Sequence, residues 1–201
     1  MPQDISEIMI SKWDIGNLNL IHGQYINNMF QNNLYLNIDD ILTHISITPR
    51  NKIEIFLSFS PGNIIKRWSE RVIRRHIKTY LLNYNNDTIS SWAKDWLEGE
   101  RNTEKKVLDK IAYSAVNASR PDNTYVSKIV HCVNIINSPN FLSKGKFSIS
   151  RHLSNAAVWA YQEKHKDVAD AQLQDIEVAE MYSQILDASL AIYKDAEKEK
   201  K

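Results

Sequence analysis

The stretch NIIKRWSERVIRRHIKTYLL, residues 63–82, decides how the rest of the chain is read. Ile65, Trp68, Val72 and His76 recur at three- and four-residue steps, with Ile73, Ile77 and Tyr80 beside them. That is the spacing of one apolar face on an α-helix. Ser60-Pro61-Gly62 before it is a strong turn cluster, and Asn63 can cap the first turn. Arg67, Arg71, Arg74 and Lys78 follow at steps of four, three and four, so they share a second face. Residues 64–80 hold six basic side chains against Glu70 alone, a local net charge of +5.

Toward the C-terminus the pattern repeats as successive helices. Asp87 or Thr88 can cap a helix holding Ile89, Trp92 and Trp96, which Gly99 is placed to end. Asn102 or Thr103 opens another, with Val107, Leu108, Ile111, Ala112 and Ala115 as its apolar stripe, closed by Pro121. Asp122 opens a helix through Tyr125, Ile129, Val133 and Ile136 that Ser138-Pro139 stops. Beyond Gly145 there is no Gly or Pro. Ser150 can cap a helix with Leu153, Ala156, Ala157 and Ala160, and a second apolar series runs Leu173, Ile176, Ala179, Tyr182, Leu186, Leu190 and Tyr193. These two series make either one long helix or two joined near His165-Lys166-Asp167.

Toward the N-terminus the pattern is mixed. Leu18, Ile21, Tyr25 and Met29 have helical spacing, and Asn37 can cap a short helix with Ile38, Ile41, Leu42 and Ile45. Ile53, Ile55, Leu57 and Phe59 alternate with period 2. With Ile45 to Thr48 and the turn residues Pro49-Arg50-Asn51 they predict a small β-hairpin near residues 45–59. The expected fold is therefore mainly α, a multi-helix bundle or short helical stack with that hairpin. Residues 1–62 form an N-terminal segment, 63–195 a helical core and 196–201 a frayed charged tail, all in one compact domain.

The chain has 201 residues, 25 Lys+Arg and 24 Asp+Glu. A protein of this size can bury a core without disulfides or metals. The balanced total removes the simplest sign of a nucleic-acid or membrane-surface protein, yet it hides a second stripe. Between Asp167 and Asp187 lie six acids and no Lys or Arg. Asp170, Glu177, Glu180 and Asp187 fall at steps of seven, three and seven, again one helical face. The acidic and basic faces can neutralise each other, or they can face outward. Outward, the acidic face suits a basic partner protein, and Arg67, Arg71, Arg74 and Lys78 suit a nucleic-acid backbone. Trp92 and Trp96, one turn apart, are core anchors or an interface pair.

No chemistry-bearing motif competes with these surfaces. The six histidines give no His-x-x-x-His and there is no Cys-x-x-Cys, so neither a metal nor another cofactor is expected. A phosphate loop, a nucleophile elbow and a dinucleotide fingerprint are all missing. An enzyme would have to assemble Cys132 with a histidine such as His76 or His152 through tertiary contact. One cysteine cannot form an internal disulfide, the N-terminus has no secretory pattern, and no stretch is long and apolar enough for a membrane span. A cytoplasmic setting is expected.

Trp68-Ser69-Glu70-Arg71-Val72, then Ala93 to Glu100, then His152 to Ala160 resemble the successive helices of immunity proteins found beside polymorphic bacterial toxins. The resemblance covers a third to a half of the chain and leaves out the first 60 residues. It implies an all-helical protein that binds and blocks a toxin, and it brings no catalytic residues. The expected function is a non-catalytic protein-binding module that occludes its partner by charge-steered docking. Nucleic-acid binding through the basic face is the alternative, and an enzyme centred on Cys132 or a histidine is the second.

Overall fold

The computed structural model describes residues 8–12, 30, 34–99, 105–114, 124–165 and 167–198. The expected helix over Leu18–Phe30, apart from Phe30, and the expected caps Asn102, Thr103 and Asp122 lie outside the described residues. The described chain is mainly α, in two compact units, one of residues 1–68 and 181–201 and the other of residues 69–180. The division falls within helices, after Trp68 and after Glu180, rather than at the Ser60–Asn63 turn.

In the first unit, β1 (Met9–Ser11) pairs antiparallel with β2 (Tyr35–Asn37), placing Ile10 opposite Leu36, both buried. Asn37 ends β2 and caps α1 (Ile38–Thr43) by accepting from the Asp39 N–H. Next comes α2 (Pro49–Phe59), a helix where a hairpin strand was expected. Thr48 accepts from the Asn51 N–H and Pro49 takes the first helical position, a start signal that outweighs the turn reading of the same residues. The period-2 pattern misleads here because α2 is covered on nearly every side: Ile53, Ile55, Phe56 and Leu57 are all buried. An apolar run that is buried all round carries no period to separate strand from helix. The start of α3 (Gly62–His76) adds Ile64, Ile65 and Trp68 to this core. The Trp68 ring meets Phe56 edge-on at 5.9 Å. The end of α8 (Asp170–Lys198) completes it with Ile185, Ala188, Ala191 and Ile192.

The second unit begins with the rest of α3, which runs into a π-helical turn at Ile77–Leu81. α4 (Asp87–Glu98) is capped by Asn86, one residue before the expected cap, and ends at Gly99, whose φ of 123° suits glycine. α5 (Lys105–Ser114) packs on α6 (Tyr125–Ile136), and α6 packs along α7 (Lys146–Lys164). Thr124 caps α6 through the Ser127 N–H. A second π-helical turn, Phe141–Gly145, leads directly into α7, so that helix starts before the expected Ser150. The core is Val72, Ile73, Ile77, Trp96, Val126, Ile129, Val133, Leu153 and their neighbours. Two helices, α7 and α8, occupy the last third, separated at residues 165–169. The first half of α8 belongs to this unit, and the helix continues to Lys198.

Candidate functional site

The charged helices α3 and α8 meet inside each unit, and the contacts decide which side chains remain at the surface. In the second unit Arg75 forks onto Glu180, with Nη1 donating to Oε2 at 2.7 Å and Nη2 to Oε1 at 2.9 Å. His76 Nε2 lies 2.9 Å from the same Oε1. Glu180 is 6 % exposed and His76 is wholly buried. Burial alone would raise the Glu180 carboxyl. Hydrogen bonds from Arg75 and His76, reinforced by their charge, outweigh burial and hold it at about 2. The far nitrogen of His76, Nδ1, is buried without a hydrogen-bond partner.

The π-helical turn that follows His76 sets Tyr80 beside its ring, 5.4 Å between centroids. Tyr80 in turn meets Tyr125 at 5.9 Å, and Tyr125 meets Tyr84 at 5.9 Å. Burial, then the charge of Glu180, raises the Tyr80 hydroxyl. Tyr125 is raised further by burial and then Glu163. These tyrosines stay neutral packing groups near pH 7. A histidine held by a carboxylate is the geometry of a general base, but a fully buried ring cannot meet a substrate arriving from solvent.

In the first unit the pairing is to backbone. Arg67 Nη1 donates to the Ala191 carbonyl at 2.9 Å, and Trp68 Nε1 donates to the Gln184 carbonyl at 3.1 Å. These donors sit on the inward side of α8, where Gln184 is fully buried and Asp187 is 8 % exposed among Ile185, Ala188, Ala191 and Ile192. The opposite side faces out. Tyr182 is 55 % exposed, Leu186 62 %, Leu190 40 % and Tyr193 55 %. The apolar series expected to fill the core is thus largely the solvent face of α8, and two of the four acids expected at the surface are inside. Tyr193 donates its hydroxyl to Asp39 Oδ2 at 2.6 Å, at the start of α1.

The remaining residues fall as follows. Asp170 is exposed and Glu177 half-buried, so these two acids remain available, with Asp167 and Asp175 exposed on the same stretch. Arg74 and Lys78 are exposed, while Arg67 and Arg71 are half-buried and engaged. Trp92 and Trp96 are both buried on the inner side of α4 and serve the core. Arg75, one of the six bases of residues 64–80, lies off the face shared by Arg67, Arg71, Arg74 and Lys78, so spacing alone does not single it out. The hint was its place beside His76, which ends the apolar series. Cys132 is fully buried, burial pushes its thiol up, and it points to the Ile149 carbonyl at 3.9 Å. Such a thiol is not a nucleophile. His131 and His152 contact each other, rings 4.8 Å apart and nearly perpendicular. Burial, then His131, Lys128 and Arg151, lower His152 to about 4, while Lys128 sits 4.9 Å over the Trp159 ring. Among the described residues no three His, Cys, Asp or Glu side chains are grouped to hold a metal, and no helix is long and apolar enough to cross a membrane.

Fold and surface together define a mainly α-helical protein whose opposed charges are partly neutralised internally. No protein-family model, curated protein or solved structure matches the chain.

Proposed function

We propose that the chain is a non-catalytic protein-binding module, of the immunity type that its sequence resembles, acting in the cytoplasm by occluding a basic partner protein. The observation that carries this reading is the residual charge on the approach to and first turns of α8. Of the six acids between Asp167 and Asp187, the two buried ones, Glu180 and Asp187, add little to the outer field. Asp167, Asp170 and Asp175 are exposed and Glu177 is half-exposed, with no Lys or Arg among them. A single-sign patch of this kind speeds encounter with a basic surface and rejects acidic ones. Asp170 also lies in the first helical turn, where a carboxylate is favoured by the helix dipole.

The test is affinity capture from the native host with wild type and the D170K/E177K variant, identifying bound proteins by mass spectrometry. The reading expects a basic protein retained by wild type at low salt and lost by the variant. Retention of nucleic acid alone, or a partner equally bound by both, contradicts it. Co-expression with the captured protein then asks whether this chain blocks that protein's activity.

A further inference from the structure

The exposed side of α8 is built against the usual rule for a surface helix. Between Glu180 and Tyr193 the helix buries Ile185, Ala188, Ala191 and Ile192 together with the polar Glu180, Gln184 and Asp187, and it still presents Tyr182, Leu186, Leu190 and Tyr193 to water. A surface helix with one apolar stripe buries it; here a second apolar stripe is left outside. The helix is fixed within the first unit by the Arg67 and Trp68 hydrogen bonds to its backbone. The four apolar residues fall at steps of four, four and three, one stripe about 16 Å long. About half exposed, two tyrosines and two leucines give a patch on the order of 400 Å², the size that on a monomer often marks a binding surface.

We propose that this stripe is the seat for an amphipathic helix of the partner protein, one whose apolar residues are bordered by Lys or Arg. The proposal rests on the protein-binding reading and specifies the element that docks. Helix-on-helix recognition through anchors one turn apart is a standard mode, and three turns of stripe match three turns of partner. Charge selects the occupant. Within this unit α8 has no base from Met181 to Tyr193, the nearby Arg67 is committed to the Ala191 carbonyl, and Asp39 and Asp40 lie at the Tyr193 end, with Asp40 exposed and Asp39 holding the Tyr193 hydroxyl. A second copy of the chain fits less well, because it brings the same acids. Self-pairing of this stripe alone would also bury only about 800 Å² in total, the scale of a lattice contact rather than a stable dimer.

The test uses two synthetic helical peptides with identical leucine stripes, one bordered by lysines and the other by glutamates. Each is titrated into the full chain by NMR, with sedimentation of the free protein in parallel. The lysine-bordered peptide is expected to bind at least tenfold more tightly, shift the resonances of residues 182–193, and weaken at least tenfold in L186K/L190K. Those substitutions are at exposed positions, and circular dichroism checks that the variant is folded. Equal binding of both peptides, shifts elsewhere, no binding by either, or self-association through this stripe overturns the proposal. Partner capture separates the two readings: loss in D170K/E177K but not in L186K/L190K leaves the protein-binding reading standing and removes this one.

Discussion

Replacing Glu180 with Gln removes a buried charge while keeping the shape of the side chain. In the folded protein the carboxyl sits at about 2 against an ordinary 4.5. That difference of about 2.5 decades, at about 1.4 kcal/mol each, corresponds to about 3 kcal/mol of stability near neutral pH. Breaking one partner of a buried ion pair costs a similar amount, about 3–5 kcal/mol. Because the folded value is depressed, the contribution is fully present above about pH 4.5 and is lost as pH falls toward 2. Urea unfolding followed by tryptophan fluorescence should therefore show E180Q destabilised by about 3 kcal/mol at pH 7, with the gap to wild type narrowing steadily below pH 4. Arg75→Lys, which keeps the charge but loses the two-pronged fork, should cost less. A loss under about 1 kcal/mol at pH 7, or a gap unchanged at pH 2.5, would refute the pairing as the source of stability.

Three further outcomes follow from local geometry. His152, lowered to about 4, resists protonation in the fold, whereas the unfolded chain takes a proton below about 6.5. Stability should thus fall by about 1–2 kcal/mol as pH drops from 6.5 to 4, after allowance for solvent screening, and H152N should flatten that slope in pH-dependent melts. A Cβ on Gly145 would run into the Ile135 Cγ2 methyl, so Gly145→Ala should cost about 1–3 kcal/mol, and a double-mutant cycle with Ile135→Ala, which removes that methyl, should show the two changes coupled, the pair costing less than the sum of the singles. Asn86→Ala removes the acceptor for the Thr88 and Ile89 N–H groups and should cost about 1 kcal/mol in thermal unfolding.

How far the sequence could be read depended on whether a signal was local. Helix α3 and the stop at Gly99 were legible because spacing, turn residues and breakers sit within a few residues of each other, whereas the break before α8 stayed open because no Gly or Pro follows Gly145. The β1–β2 pair was not legible, since three-residue strands ending at Ser11 and starting at Tyr35 leave no local mark. Thr48-Pro49 did carry a readable helix start, but the apolar alternation after it pointed to a strand. In α8 both faces were visible and both had helical period. The side that turned inward carries a further apolar stripe, Ile185, Ala188, Ala191 and Ile192, and meets Arg75, His76, Arg67 and Trp68, donors more than 100 residues away in sequence. Periodicity shows that a helix has two faces; only the facing groups choose between them.

Hydroxyl-radical footprinting of the native protein, read by mass spectrometry residue by residue, tests the orientation of α8 most directly. Tyr182, Leu186 and Tyr193 should be oxidised readily, while Trp68, Trp96 and Ile185 stay protected until the chain unfolds. Protection of Tyr182, Leu186 and Tyr193 in the isolated, folded protein would contradict the outward apolar stripe and the docking function built on it.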